Sequence, residues 1–232
     1  FFIFCHGFCS GKGSDSVRIV ANKLLESGIS SVSFDFPGHI DSVQGADKLN
    51  VDVCISYINS VVEYVKEKHK NDINISFYAI SFGAYILMNK LIGDPSNYDN
   101  IVLRSPAFNM KDILVQSLLK EPFEQYKKSG TAKAGHEGKL EVPYSFYEDL
   151  VKHNLYDNYK EYHAIGVEAI KNRKLAAVTM AGGQGTRLGH KGPKGTFDIG
   201  LESHKSLFEL LSDGLKEQGR KYGVTTVSYT HI

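Results

Sequence analysis

A serine sits between small residues in Ala79-Ile80-Ser81-Phe82-Gly83, after an apolar run and before a helical pattern. Small residues two before and two after a serine permit a sharp strand-to-helix turn that lifts the hydroxyl above a sheet. Ala79 stands where glycine is commoner and is small enough for that turn. A helix opening at Phe82 would aim its N–H groups at a developing oxyanion. Upstream, Cys5-His6-Gly7-Phe8 leads into Cys9-Ser10-Gly11-Lys12-Gly13-Ser14, and Phe34-Asp35-Phe36-Pro37-Gly38-His39 reads as a turn after a strand. In a parallel sheet the first of these loops comes beside Ser81, and the N–H of Phe8 pairs with that of Phe82 as an oxyanion hole. His6 and His39 read as loop-structuring. The alternative role for Ser81 is a cap on a helix over 82–92. Gly11-Lys12-Gly13-Ser14 is not a phosphate loop, because glycine is missing five residues before Gly11 and position 13 is neither Ser nor Thr.

A second set of residues suits phosphate. Gly182-Gly183-Gln184-Gly185-Thr186-Arg187-Leu188-Gly189 follows a buried-strand pattern and precedes His190-Lys191-Gly192-Pro193-Lys194-Gly195. Glycines let the backbone approach a ligand closely, and successive N–H groups turn toward phosphate oxygens. Arg187 offers a bidentate fork and Lys194 a point charge. The dinucleotide fingerprint is not met, since the third glycine counted from Gly183 would fall on Leu188.

The His-Gly loop, the Asp-x-Pro-Gly-His turn and the serine elbow arrive in the order of the α/β-hydrolase family, which residues 1–162 resemble. The resemblance implies Ser81 as nucleophile, Phe8 and Phe82 as oxyanion-hole donors, and an ester or similar acyl substrate. The family order Ser…Asp/Glu…His is met downstream by Asp157 with His163 or Asp198 with His204, neither at a strand end. The general base is therefore expected to be missing and acyl transfer weak or nil.

Residues 163–225 resemble the UDP-sugar pyrophosphorylases through Gly182 to Gly189, Pro193-Lys194 and Gly195-Thr196-Phe197-Asp198-Ile199-Gly200. That resemblance implies UTP and a sugar 1-phosphate as partners and Mg²⁺ as cofactor, with a UDP-sugar and pyrophosphate as products. It places Gly182, Gly183, Gln184, Gly185, Thr186, Arg187 and Lys194 against the nucleotide. The family's uracil-reading, sugar-binding and metal-binding segments are not found in the chain, and Asp198 reads as structural.

The elements that must carry these loops are short. Apolar runs at 1–5, 31–36, 73–78 and 101–103 read as strands. Helical periodicity at 15–27, 47–69 and 82–92 alternates with them, with Leu24 and Leu25 of the first facing inward. Alternation of this kind predicts an α/β fold with a parallel sheet. Residues 108–160 read as a cap-like helical region. A strand at 175–180, the glycine loop and an amphipathic helix at 205–222 then form the first strand–loop–helix of a Rossmann-like nucleotidyltransferase domain. Leu207, Leu210, Leu211 and Leu215 are its inward face. Residues 226–232 read as an unrelated tail.

Composition bounds the rest. The 232 residues are 42% hydrophobic and 23% charged with net charge +1, which excludes a disordered chain and gives no basic field for nucleic acid. Three cysteines without metal-site spacing suggest free thiols, no metal and a cytoplasmic setting. No apolar run is long enough to span a bilayer. The opening run Phe1-Phe2-Ile3-Phe4 lacks methionine and reads as a start in mid-strand. The expectation is a composite of two fragments, inactive in both inherited reactions. The alternatives are a true bifunctional fusion and a nucleotide-binding remnant.

Overall fold

The computed structural model describes residues 1–40, 42, 45–70, 72–94, 98–135, 137–157, 159–180, 185–186, 189–225 and 228–231, with only the backbone described at 159–162, 178–180 and 228–231. The chain is α/β and divides into two compact units, Phe1–Asp157 and Asn158–Ile232.

Unit 1 is built on β1 (Phe2–Cys5), β2 (Ser31–Ser33), β3 (Ser76–Ile80) and β4 (Ile101–Arg104), all parallel in the order β2-β1-β3-β4. Helices α1 (Asp15–Glu26), α2 (Val51–Lys68) and α3 (Phe82–Gly93) make the crossovers. Parallel neighbours require such crossovers. Two of these helices have a local reason to start where they do. Asn50 caps α2 by accepting from the Val53 N–H, and α3 begins at the serine turn. The two central strands and the helices packed on them form the core: Ile3 and Phe77 of β1 and β3, Ile58 of α2, and Phe82 and Leu87 of α3 are all inaccessible to solvent.

Two expected strands end elsewhere. The second stops at Ser33, because Phe34, Asp35 and Phe36 turn inward to hold the loop after β1. The third runs from Ser76 to Ile80, into the elbow itself. The stripe of α1 is also narrower than its periodicity suggests: Val17 is buried, but Leu25 is 68% exposed.

After β4 come α4 (Met110–Ile113) with a π-turn continuing it, α5 (Phe123–Ser129), the antiparallel hairpin β5 (Thr131–Ala134) and β6 (Leu140–Pro143), and α6 (Tyr144–Lys152). The cap-like region is therefore part hairpin. Gly130, Gly135 and Gly138 take positive φ at its turns, and Ala132, Ala134, Leu140 and Val142 point inward. Tyr126 on α5 ties the hairpin down, its buried ring carrying an O–H that donates to the Pro143 carbonyl at 2.6 Å.

Unit 2 holds α7 (Tyr159–Lys171), β7 (Ala177–Met180), a 3₁₀ turn at Lys194–Thr196, α8 (Leu207–Tyr222) and β8 (Ser228–His231). β8 pairs parallel with β7, so the expected unrelated tail is part of this unit's sheet. Helix α8 has a full capping box, Ser206 with Glu209, and ends at Gly223 with φ 67°. Leu207, Leu210 and Leu215 are half-buried, while Leu211 is 53% exposed and leaves the inward face. Among the described residues, no large apolar side chain of unit 2 is buried. No helix among them is long and apolar enough to cross a membrane.

Candidate functional site

Ser81 sits between β3 and α3 with φ 49° and ψ −110°, outside the regions ordinary residues favour. Four backbone bonds hold it there. Its N–H donates to the Arg104 carbonyl at 3.0 Å, and its carbonyl accepts from Ala84, Tyr85 and Ala107. The side chain makes no cap bond to α3, so the hydroxyl is not spent on the helix. Gly83 is obligatory, because a β-carbon there would fall on the carbonyls of Cys5 and His6. That absence of side chain lets α3 dock on the end of β1. Ala79 is fully buried opposite Cys5 in the β1–β3 register.

The loop after β1 passes against the serine: a methyl on Gly7 would lie 3.5 Å from the Ser81 β-carbon. Phe8 follows, half-buried, with its ring edge-on to Phe82 at 5.5 Å and stacked on Phe146 of α6 at 6.1 Å. The N–H of Phe82, first in its helix, has no carbonyl one turn back to bond.

A clamp from the β2 exit fixes this loop. Asp35 accepts from the Lys12 N–H at 2.7 Å and from its ammonium at 2.5 Å. Gly11 packs so closely that a β-carbon would sit 2.9 Å from the Asp35 carboxylate. His6 Nδ1 lies 2.8 Å from the Gly7 carbonyl and Nε2 accepts from the Phe36 N–H at 3.0 Å, so the ring is the neutral Nδ1–H tautomer. Burial holds its pKa below the ordinary value. His39 donates from Nδ1 to the Pro37 carbonyl at 2.8 Å. Burial, and then the nearby His6, push His39 down to about 4. Its ring stacks on Phe82 and meets Phe8 edge-on. Both histidines are thus built into the loops.

No side chain among the described residues hydrogen-bonds the Ser81 hydroxyl. Asp157 accepts from Asn154 at 3.1 Å, while His163 lies on α7 of unit 2. Asp198 and His204 do pair, at 3.2 Å, within unit 2. Asp198 also accepts from the Gly200 N–H at 2.8 Å, which with His204 keeps its carboxyl below the usual range.

Sequence reasoning missed one cluster. Asp52, Asp149 and His153 bring ligand-type atoms within 4.8 Å of one another. The group is a fastener: Asp149 accepts from the Val51 N–H at 2.6 Å at the start of α2, and His153 lies 3.4 Å from Asp52. Its only sequence signal is the Asp149–His153 spacing of four on one helix face.

In unit 2, Gly182, Gly183, Gln184 and Arg187 lie outside the described residues. Gly185 is buried, its N–H donating to the Gly192 carbonyl at 2.8 Å and its carbonyl accepting from His190. Thr186 and Lys194 are exposed, with Lys194 opening the 3₁₀ turn. His190 Nε2 contacts the Thr196 hydroxyl at 2.8 Å and pins the loop across its base. An open cavity of about 1030 Å³ lies along α8, and two of the cations lining it are held by carboxylates: Lys205 bonds Asp213 at 2.5 Å and Arg220 bonds Glu217. The described residues of unit 2 gather no acidic or histidine set that fits a protein-held Mg²⁺.

Known proteins match two stretches of the chain that overlap at residues 128–154. Residues 128–228 match the UTP–glucose-1-phosphate uridylyltransferase family model. The UDP-N-acetylglucosamine pyrophosphorylase of Saccharomyces cerevisiae is 47% identical over 74 residues, 32% of this chain and 15% of that protein. A probable UDP-N-acetylglucosamine pyrophosphorylase of Dictyostelium discoideum is 48% identical over 54 residues, 23% of this chain and 11% of that protein. The chain thus spans a small part of these relatives' length. Among solved structures, the ferulic-acid complex of Est1E from Butyrivibrio proteoclasticus superposes with TM-score 0.55 at 19% identity, covering 64% of this chain and 59% of that one. A hydrolase from Agrobacterium vitis S4 gives TM-score 0.54 at 16% identity, covering 66% and 60%. These likenesses establish the fold of unit 1. The chain is a composite of a hydrolase-like and a pyrophosphorylase-like part. Residues 1–154, the larger share of the chain, match the serine aminopeptidase S33 family model, and the chain belongs to that family of α/β-hydrolases.

Proposed function

We propose that unit 1 is the nucleophile-bearing half-site of a serine hydrolase for esters or similar acyl compounds, and that this chain does not turn such substrates over. One observation carries the reading: Ser81 is held at φ 49° with its hydroxyl free of the helix it precedes. Attack of the Ser81 oxygen on a carbonyl carbon would move the π electrons onto the carbonyl oxygen. The N–H groups of Phe8 and Phe82 would stabilise that charge. The Ser81 proton has no described acceptor, and a serine hydroxyl without a base is a poor nucleophile. Acylation stalls at that step.

Imidazole added to the buffer supplies the missing acceptor. Ser81-dependent acylation by an activated ester, read as an acyl adduct on the Ser81 peptide by mass spectrometry, should rise with imidazole and vanish in Ser81→Ala. Equal adduct levels in both proteins at every imidazole concentration would falsify the half-site.

A second reading applies to unit 2, favoured by the 47% identity to the yeast enzyme across 74 residues. Gly182, Gly183, Gln184, Gly185, Thr186, Arg187 and Lys194 form the opening phosphate loop of a site for UTP, with a sugar 1-phosphate as second substrate. The described residues do not fit a protein-held Mg²⁺. Binding of UTP is expected to be weak and uridylyl transfer absent. Saturable quenching or chemical-shift change below millimolar UTP, lost in Lys194→Ala, supports the loop; no change at millimolar UTP sinks it. The three free thiols, two of them fully buried, fit a cytoplasmic protein.

A further inference from the structure

The two N–H groups that the half-site reading places at the oxyanion are held by unequal means. That of Phe82 opens α3, so the helix sets its direction. That of Phe8 belongs to a short loop with no helix or strand behind it. Gly7 precedes it, Cys9 follows at φ 55°, and a bond from the Ser10 N–H to the Gly7 carbonyl at 3.1 Å closes the turn around it. Among the described residues no acceptor meets the Phe8 N–H. Glycine leaves the neighbouring backbone free to rotate, so the direction of this N–H depends on where the Phe8 side chain is anchored.

The anchor is a set of rings. Phe8 stands edge-on to Phe82, with centroids 5.5 Å apart. Phe146 meets both of them at 6.1 Å, nearly parallel to Phe8, at 6°, and edge-on to Phe82, at 75°. His39 reaches the same two rings from the β2 exit, stacked on Phe82 at 5.9 Å and edge-on to Phe8 at 5.4 Å. Offset and edge-on arrangements at such separations are those aromatic rings prefer. Phe146 is fully buried, and its helix is tied to two helices of the sheet. The Asp149 carboxylate accepts from the Val51 N–H of α2 at 2.6 Å, and the Tyr85 hydroxyl of α3 donates to the His153 carbonyl, at the end of α6, at 3.0 Å. Helix α6 thus gives a fixed point to a loop that lacks one.

We propose that Phe146 is a positioning residue of the oxyanion hole, holding Phe8 against Phe82 so that the N–H groups of both face one carbonyl oxygen bound at Ser81. The role rests on the half-site reading. Phe146 touches no reacting atom and acts through the angle of the Phe8 N–H. Removing one donor from such a hole costs about a hundredfold to a thousandfold in rate, so misdirecting one accounts for a tenfold loss. That loss is confined to the step in which charge gathers on the carbonyl oxygen.

The test compares acylation of Ser81 by an activated ester, in imidazole, with acylation by the thionoester of the same acid, in which sulfur replaces the carbonyl oxygen. Charge on the larger sulfur gains little from N–H donors, so the ratio of the two adduct rates reads the hole and not the serine. Phe146→Leu and Phe146→Met keep most of the buried volume. Each should lower the oxoester rate at least tenfold and the thionoester rate less than twofold. Ile58→Ala empties core volume on α2 instead and should leave the ratio at its wild-type value. A ratio unchanged in either Phe146 variant, or shifted as far by Ile58→Ala, would overturn the proposal while leaving the half-site standing. A wild type that forms no Ser81 adduct with either ester would overturn both.

Discussion

Helices make up a similar share of unit 1 and unit 2, and the two units differ in what is buried beneath them. In unit 1, four parallel strands give α2 and α3 a surface, and side chains as large as Tyr85, Phe82 and Phe146 are buried. Among the described residues of unit 2, β7 and β8 form a two-stranded pair, and Ile165, Leu175, Ile199, Leu201 and Leu211 are each more than 45% exposed. Amphipathic helices draw most of their stability from packing, not propensity. A serine held at positive φ costs on the order of 1–3 kcal/mol, which only a packed surrounding can offset. The strained elbow sits in the unit that has a core. In unit 2 the described segment around residues 190–196 relies on local pins such as His190 with Thr196.

The contrast can be broken most forcefully at two glycines. Gly83→Val drives a side chain into the Cys5 and His6 carbonyls and should destabilise unit 1 by about 4 kcal/mol or more. Gly214 in α8 has open space around it, so Gly214→Ala should raise helicity and stabilise by up to about 1 kcal/mol. Denaturant melts followed by circular dichroism separate the two outcomes. Core truncation comes next. Phe146→Ala should cost about 3–5 kcal/mol, whereas Leu211→Ala should stay within about 0.5 kcal/mol.

A pH titration sharpens the same comparison. His39 is neutral in the fold down to about 4, while an unfolded histidine protonates near 6.5. The depressed folded value means its contribution is intact above 6.5 and is lost as pH falls toward 4. The linked loss is about 3 kcal/mol at full extent, and His6 shifts in the same direction. Unit 1 should therefore weaken steeply between pH 6.5 and 4, and His39→Phe should flatten that slope. The smallest effect belongs to the α8 cap: Ser206→Ala removes the bond to the Glu209 N–H and should cost about 1 kcal/mol of helix stability.

Much of this architecture was readable from periodicity, because strand–helix alternation leaves a parallel sheet as its simplest solution. What was not readable depends on contacts distant in sequence. Phe34-Asp35-Phe36 reads as strand, yet Asp35 is taken by Lys12 and the Phe36 N–H by His6, 23 and 30 residues away. Leu25 and Leu211 fit a helical stripe yet are 68% and 53% exposed, because the width of the buried stripe is set by packing partners distant in sequence. The β5–β6 hairpin does leave a signal, glycines at its turns and the alternation of Ala132-Lys133-Ala134 and Leu140-Glu141-Val142, which the cap-like helical reading of 108–160 passes over. At the site, the motif order pointed to Ser81, Phe8 and Phe82, while the clamp that holds Phe8 in place depends on Asp35 and Lys12, which no local pattern links.

Hydrogen exchange on the full chain, resolved by peptide, tests most directly whether a packed core holds the serine elbow while unit 2 stands on local bonds. Amides of β1, β3 and α3 should exchange only through global unfolding, at least a hundredfold more slowly than those of α7 and α8. Equal protection in both units, or faster exchange around Ser81 than in α8, would contradict it.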